Sequence, residues 1–186
     1  GAATIDVAAS TFTDAVGNNN TAATQFNWTY NPVLYISTTG SDGNDGTEAS
    51  PFATIQKGID ESNSGDTVLV AAGTYTENVT ISNKDVVLSS QNGASATVID
   101  GNDNGSCVTI SGTSDVTCSG FSMTGGLASD GGGIYFNGSG TVLLENLYVY
   151  SNLASNNGGG IYVGDNSSAS VTINSSKIYQ NECVSE

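Results

Sequence analysis

A pattern that recurs with a period of about 27 residues, within the window typical of solenoids, constrains the fold of this chain more than any other feature of its sequence. The run Gly-Gly-Gly-Ile-Tyr at Gly131–Tyr135 returns one period later at Gly158–Tyr162. The segment Thr141–Asn152 also aligns without a gap on Ser170–Asn181. In a solenoid each repeat of this kind is one structural unit stacked on the next.

The apolar residues of these repeats share a register. Val116, Val142 and Val171 occupy the same position in successive repeats, although the period varies by a few residues along the chain. One coil of three short strands cannot bury its apolar face alone, whereas stacked coils place these valines above one another at ~4.8 Å, the spacing of neighbouring strands. An antiparallel sandwich would not repeat with this period. The sequence therefore predicts an all-β, right-handed parallel β-helix (solenoid) over residues 33–186.

One segment near the start of the predicted solenoid has helical spacing. Apolar residues stand at Phe52, Ile55 and Ile59, with Ser50 as the predicted N-cap and Pro51 at the first helical position. We expect a helix near 50–62 that covers the N-terminal end of the solenoid, because the first coil would otherwise offer an open edge to other chains. The C-terminal residues stop within a repeat, so we expect that end to be uncapped and either continued by further chain or used for assembly.

Residues 1–32 are predicted to hold two strands, Thr4–Ala9 and Thr24–Tyr30. In the second strand, Phe26, Trp28 and Tyr30 alternate with polar residues and share one face. Two strands are too few to be stable alone. They must pack on the following domain, pair with another chain, or belong to a domain whose earlier strands are absent.

Two family resemblances extend this interpretation. The segment Leu34–Gly101 resembles the N-terminal part of pectin-lyase-like β-helix proteins, and residues 1–32 resemble the last third of a bacterial Ig-like adhesin domain. The carrying residues of the first are Tyr35-Ile36-Ser37, Gly40-Ser41-Asp42, Asp45-Gly46-Thr47, Pro51–Gln56, Gly65–Val68, Gly73–Glu77 and Ile99-Asp100-Gly101; those of the second are Val7-Ala8-Ala9, Phe12–Asn18, Asn20-Thr21-Ala22 and Phe26–Tyr30. The Gly-Gly-Gly-Ile-Tyr repeats are similar to those of chlamydial-type autotransported outer-membrane proteins. These resemblances imply a β-helix with a capping helix, on a scaffold that serves lyases, hydrolases, adhesins and fibres alike.

The charge balance excludes several partners. The chain has 18 acidic residues against three lysines, no Arg and no His, for a net charge of −15. This charge repels phosphate backbones, so we expect no nucleic-acid binding, and it disfavours anionic membranes. The sequence also lacks an apolar run of transmembrane length, so no membrane insertion is expected. Strong acidity suits either a chain that binds divalent cations or a β protein that charge keeps in solution.

The segment Asp42-Gly43-Asn44-Asp45-Gly46 is the best candidate for a metal site. Oxygen-bearing residues separated by glycine resemble half of a calcium loop, so Asp42, Asn44 and Asp45 are candidate calcium ligands, although the spacing is not that of an EF-hand. The alternative is a turn in which the side chains hydrogen-bond to their own backbone. Calcium is the only cofactor that the sequence suggests.

Two further sets of residues recur in register. Asn152 and Asn181 follow matching strands, so we expect them to form a hydrogen-bonded ladder at a turn. Tyr150 and Tyr179 also share a position, with Tyr148 nearby, and are expected either to pack between coils or to form a strip that contacts sugars. Cys107 and Cys118 could pair, or could be separate buried thiols.

The catalytic residues of enzymes on this scaffold are not evident. The resemblance implies that a polysaccharide lyase would need a basic residue beside Ca²⁺, yet Lys57 falls in the predicted helix, Lys84 in a turn and Lys177 alone on a strand. A glycoside hydrolase needs two facing carboxylates, and the acidic residues of the repeats are scattered.

We therefore predict a secreted structural or adhesive protein of the cell surface or extracellular matrix. It would be a rigid rod that associates with itself or with other surface or matrix components, and polysaccharide is a further candidate partner. Residues 1–32, with Phe26, Trp28 and Tyr30, could pair with the next subunit and give head-to-tail fibres. The alternative is a carbohydrate-active enzyme (a polysaccharide lyase or glycoside hydrolase) or a sugar-binding β-helix module.

Overall fold

The computed structural model describes residues 2–5, 13–19, 26–29, 31–164 and 168–184. Its contacts divide the chain into two units, Gly1–Pro32 and Val33–Glu186. No helix in the described ranges is both long enough and apolar enough to cross a membrane.

The described part of the first unit is a pair of short strands and a turn. Strand β1 (Ala2–Ile5) pairs antiparallel with β2 (Phe26–Thr29), with Ala2 opposite Thr29. The first strand therefore begins before the predicted Thr4. Residues 6–9, 24, 25 and 30 of the predicted strands lie outside the described part of the chain. In the turn at residues 13–19, the carboxylate of Asp14 accepts hydrogen bonds from the N–H groups of Val16 and Asn18, each at 2.9 Å.

The second unit contains one short helix and eighteen strands within its described residues. The elements in chain order are β3 (Val33–Ile36), α1 (Ile55–Glu61), β4 (Asp66–Val70), β5 (Gly73–Thr76), β6 (Val79–Ser82), β7 (Val86–Ser90), β8 (Thr97–Asp100), β9 (Val108–Thr113), β10 (Val116–Ser119), β11 (Ser122–Thr124), β12 (Leu127–Asp130), β13 (Ile134–Ser139), β14 (Thr141–Glu145), β15 (Tyr148–Tyr150), β16 (Leu153–Asn157), β17 (Ile161–Val163), β18 (Ser170–Asn174), β19 (Lys177–Tyr179) and β20 (Glu182–Cys183).

These strands form four parallel sheets that the chain visits in turn. The first sheet has the order β3-β4-β7-β10-β14-β18, the second β5-β8-β11-β15-β19, the third β12-β16-β20 and the fourth β6-β9-β13-β17. Each strand pairs with the strand one coil away, so the sheets run along the axis of a solenoid. The predicted fold class, an all-β parallel β-helix with a short helix, is confirmed.

The register of the stack is the predicted one. Val116 is the partner of Val142, and Val142 is the partner of Val171. Ile134 of the first Gly-rich repeat likewise pairs with Ile161 of the second. Strand alternation points one side chain in two toward the axis, which builds a continuous interior stripe of Val, Ile, Leu and Phe.

Two details of the predicted repeat are wrong. The early coils depart from the predicted period in both directions, since Asp66 pairs with Val86 and Gly73 with Thr97, whereas Val33 pairs with Thr67. The later coils contain a fourth strand, in the third sheet, that the sequence did not indicate. That sheet is lined by small inward residues such as Ala128 and Ala154, which lack the Val and Ile enrichment by which strands are recognised.

Single residues in the left-handed conformation turn the chain at the corners between sheets. Gly125 (φ 65°), Ser151 (φ 53°) and Gln180 (φ 54°) occupy the same corner in successive coils, directly after β11, β15 and β19. A left-handed residue bends the chain sharply at one position. This conformation is strained for Ser and Gln but not for Gly.

The helix covers the N-terminal end of the core but starts later than predicted. It begins at Ile55 with Thr54 as N-cap, not at Pro51 with Ser50 as N-cap. The reason is that Phe52 extends the first sheet: its N–H donates to the carbonyl of Tyr35 at 2.9 Å, and its own carbonyl accepts from the N–H of Ser37 at 2.9 Å. Buried Ile55 and Ile59 then pack into the solenoid core.

At the other end, the interior stripe is exposed. Ile173 and Ile178 stand in register with buried Leu144 and Val149 but are 44% and 48% exposed.

Candidate functional site

Several polar side chains at the corners of the solenoid join one coil to the next. Asn152 and Asn181 are the clearest case. The Oδ1 atom of Asn181 accepts hydrogen bonds from the N–H and the side-chain amide of Asn152, at 3.1 and 2.9 Å. The side-chain amide of Asn181 donates to the carbonyl of Val149 at 2.9 Å. The structure thus brings together the two asparagines that the repeat aligned.

Asn152 repeats these contacts one coil earlier. Its Oδ1 accepts from the N–H of Gly126 at 2.9 Å, and its Nδ2 lies 3.1 Å from the carbonyl oxygen of Met123. The Asn152 side chain is almost fully buried, at 2% exposure. Buried polar groups destabilise a fold unless they are hydrogen-bonded, so this asparagine is held by a complete set of partners.

Aspartates join coils at a second corner, between the fourth and first sheets. The carboxylate of Asp85 accepts from the N–H of Asp115 at 2.9 Å and from the hydroxyl of Ser64 at 2.7 Å. The carboxylate of Asp115 in turn accepts from the N–H of Thr141 at 2.6 Å. The bond from the Asp115 N–H lowers the pKa of the Asp85 carboxyl, because it stabilises the charged form. Asp115, one of the acidic residues that are scattered in the sequence, thus lies at one corner in register with Asp85.

The predicted calcium ligands make separate hydrogen bonds. Asp42 accepts from the N–H groups of Ala53 and Thr54 and from the Thr54 hydroxyl, at 2.9 to 3.0 Å. The side-chain amide of Asn44 donates to the carbonyl of Pro51 at 2.8 Å.

Asp45 bonds within its own turn, accepting from the N–H and hydroxyl of Thr47 at 3.2 and 2.9 Å. The geometry therefore gives Asp42, Asn44 and Asp45 roles in ordering the loop before α1. Among the described residues, no group of three or more Cys, Asp or Glu side chains could hold a metal ion. Calcium binding by this loop stays a prediction.

Three side chains that the sequence analysis missed clamp α1 to the first coil. The two oxygens of Glu77 accept from the N–H groups of Ile55 and Gln56 at 2.9 and 3.0 Å. The side-chain amide of Gln56 both donates to the carbonyl of Thr80 and accepts from its N–H, at 3.1 and 2.7 Å. Gln56 thus supplies the edge strand β6 with the pair of hydrogen bonds that a further strand would make.

The third clamp holds the other end of the helix. The ammonium of Lys84 donates to the carbonyls of Ile59 and Asp60 at 2.6 and 3.1 Å, where a cation also compensates the helix dipole. Burial raises the pKa of the Glu77 carboxyl, and the hydrogen bonds from Ile55 and Gln56 oppose that shift only in part.

The other two lysines also have partners in the structure. Lys57 forms an ion pair with Glu61 one turn along α1. Lys177 places its ammonium 4.8 Å from the ring centroid of Tyr148. Each of the three lysines therefore contacts an acidic side chain, a backbone carbonyl or an aromatic ring of the chain itself.

Tyrosines form stacked pairs on two outer faces. The rings of Tyr150 and Tyr179 are 5.2 Å apart and inclined by 12° on the second sheet. Those of Tyr135 and Tyr162 are 6.1 Å apart and inclined by 4° on the fourth sheet. Both pairs join neighbouring coils, which is the packing that the repeat predicted for Tyr150 and Tyr179.

The cysteines are free thiols. Cys107 and Cys118 are buried and Cys183 is exposed. Burial raises the pKa of Cys107 and of Cys118 to about 12, so both are unreactive at neutral pH. Of the predicted assembly strand, Phe26 and Trp28 lie in β2, and Tyr30 lies outside the described residues.

One family model matches the N-terminal part of the solenoid, and one solved structure is similar over most of the chain. The family model described as "Protein of unknown function (DUF1565)" matches residues 38–83, which hold α1 and strands β4–β6. No curated protein matches the chain. A solved structure titled "Rhamnogalacturonan lyase" is similar with 17% sequence identity and a TM-score of 0.49. The alignment covers 81% of this chain and 52% of that structure, so the chain spans about half of its length.

The family match falls inside the segment 34–101 that resembles pectin-lyase-like proteins. The four sheets of parallel strands extend through the rest of the second unit. The chain is a parallel β-helix protein.

Proposed function

We propose that this chain is a structural and adhesive rod of an extracellular surface or matrix protein. The observation that carries the proposal is the use of its polar side chains. The carboxylates of Asp85 and Asp115, which line the outer cleft of the first sheet, accept backbone N–H groups of the next coil. An acid or base in catalysis must instead reach a proton of the substrate.

The contacts of the other polar groups support the same role. Asn152, Asn181, Glu77 and Gln56 all bond across coils or between the helix and a coil. Such bonds resist sliding and separation of coils, which is what a load-carrying rod requires. The net charge of −15 also disfavours a polyanionic substrate. Secretion, display at a surface and self-association are parts of this proposal.

The proposal is tested by asking what Asp85 and Asp115 do. If they are structural, Asp85→Ala and Asp115→Ala should each lower the melting temperature by a few degrees, at about 2–4 °C for each kcal/mol in a domain of this size. Glu48 is exposed, so Glu48→Ala is the matched acidic control and should leave the melting temperature unchanged.

The same variants are then incubated with pectic and neutral polysaccharides, with and without Ca²⁺. We expect no release of unsaturated or reducing sugars from any sample. Product release by the unaltered chain that disappears in Asp85→Ala or Asp115→Ala, with unchanged melting temperatures, would contradict the structural role and favour an enzyme.

Head-to-tail assembly through residues 1–32 is a separate part of the proposal. Deleting residues 1–30 should abolish any filaments seen by electron microscopy of the purified chain. Filaments that persist after the deletion would show that Phe26, Trp28 and Tyr30 are not the assembly strand.

A further inference from the structure

Four asparagines of the chain are followed directly by glycine. In such a sequence the backbone nitrogen of the glycine can attack the side-chain carbonyl carbon of the asparagine, because glycine has no side chain to obstruct the approach. The four sequences are Asn92-Gly93, Asn104-Gly105, Asn137-Gly138 and Asn157-Gly158. Since the attacking residue is the same in all four, we expect the fold to set their relative rates.

Two of these sequences are held by backbone hydrogen bonds between coils. The N–H of Gly105 donates to the carbonyl of Leu127 at 2.7 Å. Gly138 lies in β13, an inner strand of the fourth sheet, where its register partner is Gly112. The carbonyl of Gly138 also accepts from the N–H of Ser168 at 3.0 Å. Attack by either glycine nitrogen therefore needs the coils to open locally first.

A third sequence is held through its asparagine. The side-chain amide of Asn157 donates to the carboxylate of Asp130 at 2.7 Å, and the carbonyl of Asn157 accepts from the N–H of Gly131 at 2.9 Å. These two bonds fix the torsions that must turn before the side-chain carbon can reach the nitrogen of Gly158. This site is therefore restrained as well.

The fourth sequence, Asn92-Gly93, lies in the loop between β7 and β8 and is the least restrained. Asn92 is exposed, and its side chain makes no hydrogen bond to another described residue. The N–H of Gly93 donates only to a side chain, the hydroxyl of Ser90, at 2.9 Å. A Cβ atom at Gly93 would meet nothing within 4 Å, so the space beside this residue is open.

We propose that Asn92 is a site of spontaneous deamidation and isoaspartate formation in the folded chain. A solvent base takes the proton of the Gly93 N–H, and the nitrogen forms a bond to Cγ of Asn92. The bond between Cγ and Nδ2 breaks, and Nδ2 leaves as ammonia with a proton from water. Water then opens the succinimide ring at either carbonyl, which leaves aspartate or isoaspartate in place of Asn92.

This modification changes the corner between the first and second sheets. The N–H of Asn92 donates to the same Ser90 oxygen as Gly93, at 3.2 Å. That oxygen lies 2.7 Å from Oγ1 of buried Thr97 and, having both lone pairs occupied, donates its hydrogen there. Isoaspartate lengthens the main chain between the two N–H groups by a methylene group, so both cannot keep their bonds to one oxygen. The converted chain should therefore melt at a lower temperature than Asn92→Asp, which gains only the charge.

The test is incubation of the whole folded chain in mildly alkaline buffer. Chymotrypsin digestion and tandem mass spectrometry then assign the loss of ammonia to each asparagine. We expect Asn92 to convert at least about tenfold faster than the other three, because each of those needs a local opening of the coils. In urea, where the chain is unfolded, the four should convert at similar rates.

Ser90→Ala frees the N–H of Gly93 and should raise the rate at Asn92 severalfold. Ser95→Ala is the matched control, since Ser95 is exposed in the same loop and should leave the rate unchanged. Circular dichroism establishes that both variants are folded. The inference is overturned if Asn92 converts no faster than the other three in the folded chain, or if the two serine variants change its rate equally.

Discussion

Removing the side chain of Asn152 is the most demanding test of how this β-helix is held together. In Asn152→Ala the buried N–H of Gly126 loses its acceptor and the carbonyl of Met123 loses a donor. The N–H of Asn152 keeps its bond to Asn181, whose Oδ1 loses only one of its two donors. The substitution therefore removes a partner from two backbone groups of the neighbouring coil, and the carbonyl of Tyr150 loses a donor as well.

The magnitude follows from these two groups. Each buried donor or acceptor left without a partner costs about 1–3 kcal/mol, and the side chain leaves a small void. We expect the free energy of unfolding to fall by about 3–5 kcal/mol. At about 2–4 °C per kcal/mol for a domain of this size, the melting temperature should fall by roughly 6–20 °C.

The measurement is urea unfolding followed by circular dichroism, with Asn156→Ala as control. Asn156 lies in the same coil, is exposed, and should change the free energy of unfolding by less than about 0.5 kcal/mol. Asn181→Ala should cost less than Asn152→Ala, because Asn181 is only half-buried. If Asn152→Ala lost less than about 1 kcal/mol, the asparagine ladder would not be a major source of stability.

Three further predictions concern the corners, the acid response and the thiols. Ser151→Gly should raise the free energy of unfolding by about 0.5–1 kcal/mol, because glycine adopts the left-handed conformation without strain. Ser155→Gly in β16 is the control and should lower the free energy of unfolding, and thermal melts of both variants test the difference. Hydrogen bonding lowers the pKa of Asp85, so this carboxylate stabilises the folded chain above the unfolded pKa of 3.8, and that stabilisation is lost as pH falls. Burial raises the pKa of Glu77, so this carboxyl stabilises the folded chain most below the unfolded pKa of 4.5, and that stabilisation is lost as pH rises. In Asp85→Asn the free energy of unfolding should therefore depend less on pH on the acid side, and in Glu77→Gln it should depend less on pH above 4.5. Variants whose free energy of unfolding keeps the pH dependence of the unaltered chain would contradict this. Iodoacetamide should label exposed Cys183 in the folded chain and the two buried thiols only after unfolding, as mass spectrometry of the labelled peptides will show.

The stacked core could be predicted because its information is local and repeated. Alternation within each strand fixes which side chains point inward, and a one-residue shift would turn the whole set outward. The valines at 116, 142 and 171 therefore had only one register in which all could be buried. The asparagine and tyrosine ladders follow from the same register, since residues at one position of successive coils become neighbours.

The helix start and its clamps could not be predicted in the same way. Ser50 and Pro51 favour a helix start by local preference, but Phe52 gains more by extending the first sheet beside Tyr35. Glu77 contacts the helix from 22 residues away and Gln56 contacts Thr80 from 24 residues away. No spacing rule connects these positions, because the early coils differ in length from one sheet to the next.

The sequence alone determined that this chain forms stacked coils, which apolar residues face the axis, and which turn residues align. Tertiary structure decided the rest: where the helix begins, that the later coils have a fourth strand, and which carboxylate meets which N–H group. The physical reason is one of range. Burial patterns repeat along the chain, whereas a hydrogen bond between coils depends on the length of every turn between its two partners.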